Sequence, residues 1–212
     1  MRNQRTSPKL IRDIKNHRGK RIMKLSGPQI TTILRDNLQI DSGRHLYGVL
    51  GTYSQLAAFE NEILSQINLL PQEQGNGSAT SACHQVVNLN FALMERIGDE
   101  DLRDLVRSEG KRPQTIQRRL NITFDSLLAN LLEKDHFIIL KQIELLFAYD
   151  LDLQTIRARA SNQNHILLLL PGEKRGDHVA LFTEANSRFH RELPYQLIAD
   201  NHLWELENAN AT

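Results

Sequence analysis

The sequence predicts an α/β fold, a three-layer sandwich around a mainly parallel sheet, on three observations. Two runs, Phe137 to Leu140 (FIIL) and Ile166 to Leu170 (ILLLL), are apolar at every position, as strands covered on both faces are. Helical patterns alternate with the strand candidates, the order that parallel crossovers require. Finally, His45 to Leu70 reads as a short buried strand, a glycine turn at Gly51 and a long amphipathic helix.

Taken in order, Ser7-Pro8 offers a helix start, and Leu10, Ile11 and Ile14 line one side of a short basic helix ending near Gly19. Ser26 to Gln29 is a capping box that opens a helix with Ile30, Ile33, Leu34 and Leu38 inward. Asp41-Ser42-Gly43 turns the chain into the strand at Leu46. Thr52 and Gln55 form a second capping box, and Leu56, Phe59, Ile63, Leu64 and Ile67 recur at helical spacing behind it. Residues 72–82 read as a polar loop, followed by a strand from Gln85 to Leu89 and a helical pattern from Phe91 to Val106 interrupted near Gly98. Gly110 to Pro113 breaks the chain before a helical pattern from Thr115 to Glu133, one long helix or two joined near Asn121. The FIIL strand is read as continuing into KQIELLF, a short helix over Leu151 to Ala160 follows, and Pro171-Gly172 is read as closing the ILLLL strand. His178 to Phe182 and Leu203 to Leu206 are further strand candidates. They flank Ala185 to Ala199, to which the pattern assigns no conformation.

At 212 residues the chain can bury one good core, and no run reaches the roughly 18 to 20 apolar residues that span a bilayer. The single cysteine, Cys83, excludes an intramolecular disulfide and a cysteine-based metal site. The N-terminus lacks the apolar core of a secretory signal, so a cytoplasmic setting is expected. The net charge of +1 hides an asymmetry. Met1 to Lys24 holds nine of the 26 basic residues and only Asp13 of the 25 acids, so the remaining body is acidic. A block of this kind marks an interaction arm. Its candidates for phosphate contact are Arg5, Lys9, Arg12, Lys15, Arg18, Lys20, Arg21 and Lys24, extended by Arg118 and Arg119. A protein contact or a solvated tail would account for the same charges. The domain division is therefore a basic helical arm over 1–41 and an α/β domain over 42–212.

The chemistry expected of the strand, turn and helix at Gly51 is that of a phosphate-binding loop, G-x-x-x-x-G-K-[ST]. Counted from Gly51, the free positions are Thr52, Tyr53, Ser54 and Gln55, and Leu56, Ala57 and Ala58 stand where the glycine, lysine and hydroxyl should follow. In P-loop enzymes a second strand ends in the aspartate that holds magnesium, whereas FIIL ends in Lys141, with Glu144 close behind. The scaffold is P-loop NTPase-like; both halves of its nucleotide site are missing. No cofactor is expected. Asp150 and Asp152 read as helix caps rather than a metal cluster. The histidines, His136 and His165 among them, show no ligand spacing.

His84 to Leu93, Ile143 to Phe147 and the HILLLLPG run from His165, with the turn at Gly51, resemble BrxF, the small P-loop protein of BREX phage-defence systems. The resemblance covers roughly Leu46 to Gly176. It implies an accessory defence subunit whose nucleotide-gripping positions fall on Leu56, Ala57 and Ala58 and whose metal-holding position falls on Lys141. The expectation is a non-catalytic protein that binds DNA or other defence-system subunits through its arm, with self-association left open. Two alternatives stand beside it: an ATPase or nucleotide switch with an unorthodox loop, and a structural adaptor or regulator of a mobile-element system.

Overall fold

The computed structural model describes residues 22–67, 85–98, 103, 107, 112–194 and 196–207. Six strands form the parallel sheet: β1 (Met23–Leu25), β2 (Leu46–Gly51), β3 (Gln85–Asn88), β4 (Phe137–Lys141), β5 (His165–Arg175) and β8 (Leu203–Leu206). They lie in the order β1-β8-β2-β5-β4-β3. The short strands β6 (His178–Leu181) and β7 (Arg191–Glu192) are added antiparallel to the far end of β5. The fold is mixed α/β with a mostly parallel sheet, as the uniformly apolar runs imply.

Alternation along the strands sends side chains into two cores, one on each face of the sheet. Tyr47, Val49, Ile139, Leu167, Leu169 and Trp204 meet α1 (Gly27–Leu38) and α2 (Tyr53–Ile67) on one side. Leu50, Ile138, Leu140, Ile166, Leu168 and Leu203 meet α3 (Leu89–Ile97), α4 (Pro113–Lys134), α5 (Glu144–Ala148) and α6 (Gln154–Arg159) on the other. The strands β2, β4 and β5 are therefore buried along nearly their whole length. Each fully buried Leu or Ile contributes about 1.5–3 kcal/mol, which makes this central trio the main source of stability.

Residues 22–41, read from sequence as the inner part of the arm, are integrated into this body. Met23 and Leu25 pair with Trp204 and Leu206, and Ile30 and Leu34 pack in the same core as Phe59 and Ile63. The packing carries no boundary after residue 41. The capping box at the start of α1 is present, with Gln29 Oε1 accepting from the Ser26 N–H at 3.0 Å. The arm residues up to Arg21, the loop over 72–82 and Cys83 lie outside the described residues.

Several element boundaries differ from the sequence pattern. Pro113 opens α4 instead of ending a break, because the first helical position needs no N–H. From there α4 runs unbroken past Asn121. Asn88 ends β3 and caps α3, its Oδ1 accepting from Phe91 N–H at 3.1 Å, so Leu89 is helical. The KQIELLF segment is not strand: β4 stops at Lys141, Gln142 takes a left-handed φ of 51°, and Glu144–Ala148 is helix. The predicted helix over Leu151 to Ala160 is confined to Gln154–Arg159. Pro171-Gly172 does not close β5 but marks a change of partner. Pro171 is still opposite Gly51 of β2, whereas Gly172 faces Leu181 of β6. A Cβ on Gly172 would collide with the Ala180 carbonyl oxygen, so only glycine lets β6 approach there.

Candidate functional site

In open α/β sheets, ligands bind beyond the carboxyl ends of the strands. Here Gly51, Asn88 and Lys141 end β2, β3 and β4, and the segments leaving them meet in one polar cluster.

The capping box on α2 forms as its sequence predicts. Gln55 Oε1 accepts from the Thr52 N–H at 2.8 Å, and Thr52 Oγ1 accepts from the Gln55 N–H at 3.2 Å. Ser54 Oγ lies 3.0 Å from Thr52 Oγ1. The next N–H, that of Tyr53, donates to Glu184 Oε2 at 2.7 Å. Glu184 arrives from the segment after β6. The N-terminus of a helix attracts anions through its unpaired N–H groups and its dipole. In this protein a carboxylate of the chain itself meets that demand. Leu56 is buried in the core, and Ala57 and Ala58 are exposed on the helix surface, so none of the three offers a group to a phosphate.

Glu144, at the start of α5, is held on both oxygens. Tyr53 hydroxyl donates to its Oε1 at 3.0 Å and Asn90 Nδ2 to its Oε2 at 2.7 Å. Asn90 Oδ1 in turn accepts from the Leu145 N–H at 3.0 Å, and the Asn90 N–H reaches the Gln142 carbonyl at 3.1 Å. Asn88 Nδ2 donates to the Gln142 side chain. Partial burial, then the charge and hydrogen bond of Glu144, then Glu184, push the Tyr53 hydroxyl up to about 12. It therefore stays protonated and donating at neutral pH.

Lys141 pairs with Glu60 of α2 at 2.7 Å. A nucleotide with magnesium does not fit these residues. Leu56, Ala57 and Ala58 carry neither a cation nor a hydroxyl, the Glu184 carboxylate sits on the α2 N-terminus, and Lys141 at the end of β4 is a cation already paired. Among the described residues no group of three or more His, Asp or Glu side chains converges as metal ligands. Asp152 caps locally, its Oδ1 accepting from the Gln154 N–H at 2.9 Å.

Glu60, Asn88, Asn90, Gln142 and Glu184 were missed by the sequence reading. The N-L-N pattern directly after an apolar strand was a readable signal for Asn88 and Asn90. Nothing local marks Glu184, which lies 131 residues from its partner. Of the nucleic-acid candidates, Arg118 and Arg119 lie exposed on α4, and Lys24 lies on β1 with its ammonium 3.2 Å from Glu205. The others precede residue 22.

The amino end of the sheet is built differently. His45 and His165 are both 4% exposed and stack with ring centroids 4.2 Å apart. Tyr47 hydroxyl lies 3.2 Å from His45 Nδ1 and 3.4 Å from His165 Nδ1. A phenol carries one proton, so it donates to one imidazole and accepts from the other. His202 and Trp204 close the group around the Tyr47 ring, at 4.8 and 6.0 Å between centroids. Burial first, then His45 and His136, pull the His165 imidazole down to about 4. Burial also lowers His45 and His202, against the opposing charge of Asp41 on His45.

Comparisons with protein-family models, with curated proteins and with solved structures return no match. No helix among the described residues is long and apolar enough to cross a membrane.

Proposed function

We propose that this chain is a non-catalytic, P-loop-like α/β subunit of a larger assembly, a scaffold retained after its nucleotide chemistry was lost. The observation that carries the reading is the Glu184 carboxylate on the Tyr53 N–H, a built-in anion where a phosphate would sit. Lys141, paired with Glu60 at the position of the magnesium ligand, supports it independently.

The BrxF resemblance of the N-L-N, IELLF and HILLLLPG segments supports an accessory role in a BREX-like antiviral system. In that reading the basic arm from Arg5 to Arg21 contacts DNA or a partner subunit, and Arg118 and Arg119 offer further exposed charge.

The test is a thermal-shift titration of the intact protein with ATP, with and without magnesium. The expected result is an unchanged Tm at millimolar nucleotide, because a ligand that binds only the folded state raises Tm once its concentration passes Kd. A magnesium-dependent rise would overturn the non-catalytic reading. The DNA contact is tested separately by duplex binding across a salt series, intact and with residues 1–21 removed, a truncation that leaves β1 whole. Affinity that falls steeply with salt and disappears with the arm is expected. Salt-insensitive binding, or none, would overturn the DNA contact.

A further inference from the structure

A second concavity, independent of the carboxyl-end cluster, opens at the amino end of the sheet. Its volume is about 330 Å3, and it lies between the loop entering β2, the helix α6 and the segment 196–202. Arg44 and Arg157 both line it.

The backbone joins the two segments that carry these residues. Arg44 bridges to Ser161, the His45 N–H donates to the Ala160 carbonyl at 2.9 Å, and the Asn162 N–H donates to the Gly43 carbonyl at 3.1 Å. The loop carrying Arg44 is thereby stitched to the segment that ends the helix carrying Arg157.

Neither guanidinium makes a hydrogen bond or ion pair with the described residues. The contrast with their neighbours is sharp. Arg159, two residues further along α6, is clamped on Asp125 by three hydrogen bonds of 2.9 to 3.0 Å. Lys24, Lys141 and Arg175 each face a carboxylate. Two cations on one small cavity repel each other, and a bound anion relieves that repulsion. The planar fork of arginine matches the oxygens of a phosphate.

The remaining walls fit a small organic molecule. Leu46, Leu197 and Ile198 are apolar, Gln196 and His202 bring hydrogen-bonding side chains, and Asp200 places one negative charge against the two positive ones. The volume lies within the range of small-molecule sites, whereas a nucleic-acid backbone tracks an open groove.

We infer that this cavity binds a small phosphate-bearing molecule, its phosphate between Arg44 and Arg157 and its organic body over Leu46 and Ile198.

The test is calorimetric and thermal-shift titration of the full chain with three probes, inorganic phosphate, pyrophosphate and AMP, without magnesium. Pyrophosphate or AMP is expected to bind once per chain and raise Tm. Arg44→Gln or Arg157→Gln should raise Kd about tenfold or more, since each removes charge-assisted hydrogen bonds. The control Arg96→Gln, on the exposed surface of α3, should leave Kd unchanged. Arg44 is exposed and Arg157 half-buried, and an unchanged ligand-free Tm will show that the variants fold. No Tm rise with any probe, or equal Kd in wild type and both variants, would overturn the inference. So would binding of a single-stranded oligonucleotide that depends on these arginines while the small probes stay silent. Magnesium-dependent ATP binding that both arginine variants retain would instead strike at the carboxyl-end reading and leave this one standing.

Discussion

At the carboxyl end of the sheet, the hydrogen-bonding groups are answered by the chain. Glu184 meets the Tyr53 N–H, Gln55 meets Thr52, and Tyr53 and Asn90 between them hold both oxygens of Glu144. At the amino end, three imidazoles, a phenol and an indole are crowded together, and His45 Nε2 and Trp204 Nε1 are buried with no hydrogen-bond partner among the described residues. The usual division of labour in an open α/β sheet, with ligands at the carboxyl end and structure at the amino end, is inverted in polar satisfaction. A buried unpaired polar atom costs about 1–3 kcal/mol, so the amino end carries a polar cost that apolar packing must offset. Among the described residues the carboxyl end carries none of that kind.

The largest test of this contrast is Trp204→Ala. Trp204 is the bulkiest of the fully buried side chains, and its loss should cost about 3–5 kcal/mol in urea unfolding. A cost below about 1 kcal/mol would mean that the unpaired indole already offsets most of its own packing.

Acidification should discriminate the two ends next. His165 is held near 4 in the folded protein, below its ordinary 6.5. The unfolded chain therefore takes up a proton first as pH falls, and stability is lost between about 6.5 and 4, then levels. His45 and His202 act in the same direction. The loss from His165 is on the order of 3 kcal/mol, read as a falling Tm over that range. Tyr47→Phe, which removes the hydroxyl shared by His45 and His165, should change this pH profile. A Tm independent of pH between 4 and 7 would show that the cluster does not stay neutral on folding.

The smallest effect belongs to the carboxyl end. Glu184→Ala should cost about 1 kcal/mol, the usual contribution of a side chain that caps a helix and complements its dipole. Raised salt should weaken the effect. If the variant is as stable as the wild type at low salt, Glu184 does not hold the helix N-terminus in solution.

Much of this molecule was legible in the chain. The uniformly apolar FIIL and ILLLL runs gave two central strands because a strand covered on both faces has no polar side to show. Thr52 with Gln55 and Ser26 with Gln29 gave two helix starts because capping is a contact across three residues. Leu56 to Ala58 and Lys141 could be read as positions that offer no phosphate-holding or magnesium-holding group, because that depends only on side-chain type. Contacts across long separations were not legible. The strand Met23–Leu25 was invisible within a basic segment, because three residues of edge strand have no period to read and their partner, β8, lies some 180 residues away.

What the sequence by itself determined was local: the central strands β2, β4 and β5, the main helical segments, and the capped starts of α1 and α2. Only the tertiary structure decided that Glu184 would close the helix N-terminus, that His45, Tyr47 and His165 would share one buried space with His202 at its edge, and that Arg44 and Arg157 would line one cavity. The physical reason is that periodicity and capping depend on neighbours a few residues apart. Charge pairing and burial depend on which distant strands the fold brings side by side.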